Sequence, residues 1–305
     1  MRGFASIGEC MIELSGADGD RWRMGFAGDT LNTTWYVRAL TDNAYPVDYV
    51  SAFGDDPFSL KQRSFFEENG IGIARSPIVS GAKPGLYAIS LQGAERSFTY
   101  WRSEAAARQL ASDPAALRES LANREIIYFS GITLAILTPE NRTTLLHALD
   151  EAKNSGSKIA FDPNYRARLW DNQDVAHAAL EAAMRITDIA LPTFPDEKDL
   201  FGDEMPEHTA LRIGRYGVGE IVVKDGTEPA LVVAEGEAAS VAAAKAAAVD
   251  TTGAGDSFNG AYLSARLNGL MPIEAAKRAH KVAARVVEIH GALAPMAEAR
   301  RAFDA

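Results

Sequence analysis

Residues 250–267 read DTTGAGDSFNGAYLSARL. Gly253, Ala254 and Gly255 are small enough for the backbone to approach a ligand closely, and Phe258, Ala261, Tyr262 and Ala265 follow at helical spacing. The stretch therefore predicts a loop that feeds a helix. The first turn of such a helix presents unpaired N–H groups and the positive end of the macrodipole, a setting suited to an anion such as a phosphate. Asp256 stands at the same place, where a carboxylate beside a bound phosphate chain could take the proton of an attacking hydroxyl. The plainer alternative is a helix start at which Thr251, Thr252 or Asp256 only caps the backbone.

The full motif resembles the second signature of the ribokinase/PfkB family of carbohydrate kinases, in which Asp-Thr-x-Gly-Ala-Gly-Asp precedes a helix. The resemblance implies that Gly253, Ala254 and Gly255 form the anion hole for the transferring phosphate and that Asp256 is the catalytic base. The motif is neither a Walker A loop, since no Gly-Lys-Ser/Thr follows, nor the Gly-rich loop of protein kinases.

The 305 residues are 47% apolar and 24% charged, a composition that buries a full core. A net charge of −10 and the lack of any basic run argue against a nucleic-acid binder. The single cysteine, Cys10, excludes a disulfide framework and a Cys-rich metal site, and points to a reducing compartment. The N-terminal MRGFASIGECMIEL is too short in apolar run for a signal peptide, and no stretch of about 20 apolar residues spans a membrane. A cytoplasmic protein is expected.

Short β-rich runs at 4–8, 47–53, 126–130, 158–162, 188–192 and 220–224 alternate with amphipathic segments at 29–40, 57–69, 139–155, 172–186 and 206–217. This alternation predicts an α/β fold with a mostly parallel central sheet covered on both faces and ligands at the C-terminal strand ends. Residues 9–27 and 84–102 break it; GLYAISLQGAERSFTYWR reads as a hairpin around Gln92, Gly93 and Ala94, outside the main sheet. In the family these segments form a small β-sheet lid on a three-layer ribokinase-like sandwich, so one domain over 1–305 is expected. The lid also often makes the dimer contact, which implies a homodimer or higher homo-oligomer. EAASVAAAKAAAV (237–249) has high helix propensity, whereas the resemblance puts a strand there.

AGDTLNTTWYVRAL (27–40) carries Gly28, Asp29, Thr30 and Asn32 at a helix start, where Asp29 or Thr30 could simply cap. It resembles the family's first signature, a Gly-Gly followed by Asn, with Ala27 in place of the first Gly. The resemblance gives Gly28, Asp29 and Asn32 to the sugar hydroxyls. Asp162-Pro163-Asn164 after a strand makes a good turn. TFPDEKDLFG (193–202) occupies the place of the element that organises Mg2+ through water, the acid being Asp196 or its neighbour Glu197. VKDGTEPAL (223–231) matches Lys-x-Gly at Lys224 and Gly226, which implies nucleotide binding, with Pro229 where a further Gly often stands. The last helix, 272–289, is expected to end at His290-Gly291 with Gly as its cap. In the family this region lines the adenine pocket and, in some members, a monovalent-cation site.

GECMIELS near the N-terminus, GDTLN (28–32), TYWRSEAAA (99–107), SGITLAIL (130–137) and FDPNYR (161–166) together look like the 2-keto-3-deoxygluconate kinase branch, over nearly the whole chain. There the substrate is a sugar acid. The protein's net negative charge is screened beyond about 8 Å at physiological salt, so local cations must hold that anion. Arg102 and Arg166 can each give planar, charge-assisted hydrogen bonds to a carboxylate or phosphate. The resemblance places Tyr87, Tyr100, Arg102 and Arg166 around the keto acid, and turns Asn164 and Arg166 also to the nucleotide phosphates.

The expected activity is ATP- and Mg2+-dependent phosphorylation of 2-keto-3-deoxy-D-gluconate to its 6-phosphate. Related kinases acting on fructose, ribose or 2-keto-3-deoxygalactonate are the alternative. A silent sugar-acid sensor could dispense with the base, yet Asp256 is present. A dinucleotide oxidoreductase is disfavoured because SIGECMIELSG after the first strand lacks Gly-x-Gly-x-x-Gly.

Overall fold

The computed structural model describes residues 2–16, 21–92 and 95–305. Residues 17–20 of the expected lid, and Gly93 and Ala94 of its expected hairpin turn, lie outside the described residues. In chain order the elements are β1 (Gly3–Ile7), β2 (Met11–Gly16), β3 (Trp22–Ala27), α1 (Asp29–Leu40), β4 (Val47–Val50), α2 (Pro57–Glu68), β5 (Leu86–Gln92) and β6 (Glu95–Trp101). Then follow α3 (Pro114–Leu121), β7 (Arg124–Ser130), α4 (Gly131–Ile136), α5 (Pro139–Asn154), β8 (Lys158–Asp162), α6 (Gln173–Met184), β9 (Ile189–Ala190), α7 (Phe194–Phe201) and α8 (Pro206–Gly214). The chain ends with β10 (Glu220–Asp225), β11 (Glu228–Ala234), β12 (Glu237–Val241), α9 (Ala254–Leu267), α10 (Pro272–Val287) and α11 (Met296–Asp304).

The main sheet has eight strands in the order β12-β11-β10-β9-β8-β7-β1-β4. Pairing from β4 to β10 is parallel, and β10-β11-β12 closes the edge as antiparallel hairpins. Neighbouring residues of one strand enter opposite cores. Ala5, Phe129, Phe161 and Val223 pack on one face with α3 to α8, whereas Phe4, Tyr128, Ala160 and Val222 pack on the other with α1, α9, α10 and α11. Burial on both faces explains the continuous apolar runs in these strands. Phe129 and Phe161 stack at 4.5 Å between β7 and β8, and each fully buried ring contributes roughly 1.5–3 kcal/mol.

The second sheet has four strands, β3-β2-β5-β6. Met11, Ala27, Tyr87 and Ile89 form its buried face, with Tyr100 packed against them. Strand alternation puts Leu14, Trp22, Met24 and Trp101 on the other face, where Trp22, Met24 and Trp101 are 47, 37 and 58% exposed.

The strand that the resemblance puts in 237–249 forms over 237–241, and the expected end of the last long helix is corrected. Residues 237–241 form β12, whose Ala238 and Ala239 sit in the ladder opposite Val233 and Val232, and 242–248 are not helical; tertiary pairing overrides the alanine propensity. The last long helix stops at Val287 with Glu288 as its C-cap. Gly291 does adopt φ +86°, but its N–H donates to Asp250 Oδ2 at 2.8 Å and not to a helix carbonyl.

Candidate functional site

The helix predicted after the glycine loop is α9, and its N-cap Gly253, at φ +76°, makes no side-chain cap. The N-cap position is thus held by Gly253 and not by Thr251, Thr252 or Asp256. A Cβ on Gly253 would lie 2.9 Å from the Ala292 Cβ, so close approach and the left-handed backbone both call for glycine. Ser257 N–H returns to the Gly253 carbonyl at 2.8 Å and Ala254 N–H donates to Thr251 at 3.2 Å. Ala254 is therefore engaged in the turn. Gly255 and Asp256 present the first-turn N–H groups that have no acceptor within their own helix.

Helix α1 crosses α9 at close range because Gly260 has no side chain: a Cβ there would stand 2.6 Å from both the Thr33 carbonyl and the Tyr36 Cβ. This contact brings Asn32 Nδ2 within 2.7 Å of Asp256 Oδ2, and Thr33 Oγ1 within 3.3 Å of the Asp256 carbonyl. Asp256 is half-buried. Loss of water around its carboxylate, and then the negative charge of Asp29, push its pKa up to about 7, against the pull of Asn32 and Lys224.

Asp29 opens α1 with its carboxylate accepting from Asn164 Nδ2 at 2.9 Å, and burial raises its pKa. The N-cap of α1 is Gly28, without a side-chain cap, while the Asp29 carboxylate accepts the Thr30 backbone N–H in the first turn. Gly28 is extended, and a Cβ on it would meet the Glu9 carbonyl at 2.2 Å. The turn after β8 forms as read: Asn164 N–H donates to Asp162 Oδ1 at 3.0 Å, with Asn164 at φ +35°.

Lys224 is turned inward, with Nζ donating to Asp162 Oδ2 and Asn259 Oδ1, both at 2.9 Å. Asn259 Nδ2 in turn donates to Asp162 Oδ2 at 2.7 Å and to the Tyr128 hydroxyl at 3.2 Å. The ammonium lies 3.8 Å from where a Gly255 Cβ would be, directly beneath the first turn of α9. Gly226 takes φ +58° in the two-residue turn between β10 and β11, and Pro229 falls within β11.

Asp196 and Glu197 have different surroundings. Arg166 Nη1 donates to Asp196 Oδ2 at 3.0 Å, close to Asp162 and Lys224, while Glu197 is buried and accepts from Arg212 Nη2 at 2.6 Å. Burial pushes Glu197 up to about 7 in a structural pair. On the inner face of the second sheet the Tyr87 hydroxyl donates to Glu13, and Tyr87 stacks on Tyr100 at 5.6 Å. Arg102 is neither solvated nor free: it pairs with Glu9, which is 3% exposed at the end of β1. A cleft of about 570 Å3 separates this face, at Glu13, Arg23 and Ile89, from the loops at Asp250, Thr252 and 290–293.

Glu9, Asn259 and Gly260 were not read as site residues from the sequence. Asn259 had a signal, since three positions after Asp256 places it on the same helical face; Glu9 and Gly260 act through tertiary contacts that no local pattern encodes.

The model of the pfkB family carbohydrate kinases matches residues 1–299. A 2-dehydro-3-deoxygluconokinase of Dickeya dadantii (strain 3937) is 41% identical over 305 residues, covering 97% of each chain. A 2-dehydro-3-deoxygluconokinase of Escherichia coli (strain K12) is 42% identical, covering 95% of this chain and 96% of that one. The crystal structure of a putative ribokinase II in complex with ATP and Mg2+ from E. coli superposes with a TM-score of 0.86 at 22% identity, over 100% of this chain and 99% of that one.

Proposed function

This chain belongs to the pfkB family of carbohydrate kinases, and we propose that it transfers the γ-phosphoryl group of ATP to the terminal hydroxyl of 2-keto-3-deoxy-D-gluconate. Support for the substrate comes from the names of the relatives at 41 and 42% identity. The observation that carries the chemistry is Asp256, half-buried in the first turn of α9 with a pKa of about 7 and held by Asn32. A base poised near the working pH accepts a hydroxyl proton efficiently and releases it after transfer. Gly28, Asp29 and Asn32 face the sugar in this reading, and Asp256 takes the proton of its terminal hydroxyl. The N–H groups of Gly255 and Asp256 receive the transferring phosphoryl oxygens, with the Lys224 ammonium adding positive charge beneath them.

Mg2+ supplies charge neutralisation on the phosphates when bound. Among the described residues no cluster of three or more His, Cys, Asp or Glu side chains could hold a metal. That fits an ion that keeps most of its waters and is carried by the phosphates with one or two carboxylates; in this reading Asp196 would hold it through water. Arg166 pairs with Asp196 and faces the nucleotide side.

The four-stranded sheet is the lid over the sugar, and its exposed outer face, with Trp22, Met24 and Trp101, pairs with a second copy. A cytoplasmic setting follows from the activity; no described helix is long and apolar enough to cross a membrane. The deciding experiment is a panel of neutral sugars and sugar acids, read by ADP release with ATP and Mg2+, with and without K+. Turnover of fructose or ribose above that of the keto acid would overturn the substrate.

A further inference from the structure

Three of the cations near the lid and the first turn of α9 are held in ion pairs. Arg102 is matched by Glu9, Arg166 by Asp196, and Lys224 by Asp162. Each of these cations therefore brings its own counter-charge, and an arriving carboxylate gains little net attraction from it. Arg168 differs. It lies on the loop after β8, two residues beyond Arg166, is exposed, and makes no ion pair among the described residues. Its guanidinium is instead held 4.3 Å from the centroid of the Tyr100 ring on the lid. Tyr100 stacks on Tyr87 at 5.6 Å, and the Arg102 guanidinium lies 5.9 Å from the same ring.

A cation on an aromatic face keeps its N–H edge free, because the ring takes up the flat side of the guanidinium and not its donors. The contact thus holds the guanidinium at the junction of lid and core without neutralising it. We infer that Arg168 is a specificity-determining residue of this site, a cation on Tyr100 that receives the carboxylate of the sugar acid. This inference rests on the sugar-acid reading above. The chemistry it recognises is a carboxylate on a sugar chain that spans from the lid to Asp256. Because Arg168 and Tyr100 come from the core loop and the lid, a carboxylate bound there would also draw the two together.

The test compares the keto acid with its neutral methyl ester in Arg168→Gln and Arg168→Lys, measuring KM, kcat and the Kd of each ligand. The position is exposed, so both variants should fold, and their melting curves report it. In Arg168→Gln the KM for the acid is expected to rise about tenfold or more, with the ester, the KM for ATP and kcat each within about twofold of wild type; Arg168→Lys recovers part of the preference. An equal loss for acid and ester would make Arg168 a lid clamp and overturn the inference, as would an unchanged acid-to-ester ratio. If wild type itself fails to turn over the acid, it is the sugar-acid reading that falls.

Discussion

Asn32 and Asp256, 224 positions apart in the chain, are joined by a 2.7 Å hydrogen bond from the Asn32 amide to the carboxylate. The bond ties α1, the helix expected to face the sugar, to α9, whose first turn is proposed to receive the phosphoryl group. The hold of Asn32 on Asp256 favours the ionised form against the burial that opposes it.

The first consequence is a pH dependence. Because the Asp256 carboxyl is raised from its ordinary value to about 7, the base is ionised above that pH, and kcat/KM of the free enzyme should fall with unit slope as pH drops through about 7. Asp256→Asn should abolish this limb and lower kcat by about 10²-fold or more, with ligand binding retained. Stability runs the other way. A carboxylate whose folded pKa lies above its unfolded one binds its proton more tightly when folded, so it lowers stability progressively from about pH 4 to pH 7. Ligand-free Asp256→Asn should therefore melt above wild type at pH 8 and match it near pH 4. A variant with wild-type turnover would remove Asp256 from the role of base.

Gly260 carries a second expectation. An added methyl group would meet the Thr33 carbonyl and the Tyr36 Cβ at 2.6 Å, so α1 and α9 must separate to admit it. Gly260→Ala should cost about 1–3 kcal/mol in unfolding free energy, as overpacking does. The same shift lengthens the bond between Asn32 and Asp256, so kcat should drop alongside Tm. Normal kcat in a destabilised variant would show that the helix crossing does not set the position of the base.

The buried pair of Glu9 and Arg102 supplies a third. The two side chains are 1 and 11% exposed, and Glu9 Oε1 and Arg102 Nε have no partner within the described residues. Removing the cation leaves a buried carboxylate whose pKa burial already raises, so Arg102→Ala should destabilise the fold by about 3–5 kcal/mol. The double variant Glu9→Gln with Arg102→Ala should regain most of that loss. If Arg102 also touches the keto acid, KM for the acid stays high in the double variant although Tm recovers; recovery of both would confine Arg102 to a structural pair.

Much of the fold was legible because its signals are local. The amphipathic segment 29–40 became α1 at those limits, and the apolar runs ending at Ser130 and Asp162 became β7 and β8, since burial on both faces leaves an unmistakable pattern. The geometry of the candidate site was legible where a motif sits on a turn, as at Gly253 to Asp256, where the predicted loop opens α9. What pairs across the chain was not: nothing local distinguishes Glu197, bound to Arg212, from Asp196, bound to Arg166. Nor does the spacing of 237–249 reveal that β11 offers a ladder to 237–241, which is why Ala238 and Ala239, with strong helix propensity, end in a strand.

The last expectation concerns assembly. The outer lid face exposes Trp22 at 47%, Met24 at 37% and Trp101 at 58%, on the outermost strands β3 and β6 of a four-stranded sheet. Large apolar side chains grouped on one sheet face favour burial against a partner, and the edges of β3 and β6 are free to be covered in the same contact. Sedimentation should therefore give twice the chain mass for wild type, and Trp22→Glu with Trp101→Glu should give a monomer with its melting behaviour otherwise kept. The inner face of the same sheet carries Tyr87 and Tyr100, so sugar binding should slow hydrogen exchange in 22–27 and 84–102 more than in the β7 and β8 strands beneath. The monomeric variant separates the two effects: slowed exchange on keto-acid binding without dimerisation would assign closure to the ligand alone. A wild-type monomer whose lid exchange ignores the keto acid would remove both the dimer and the lid from the account.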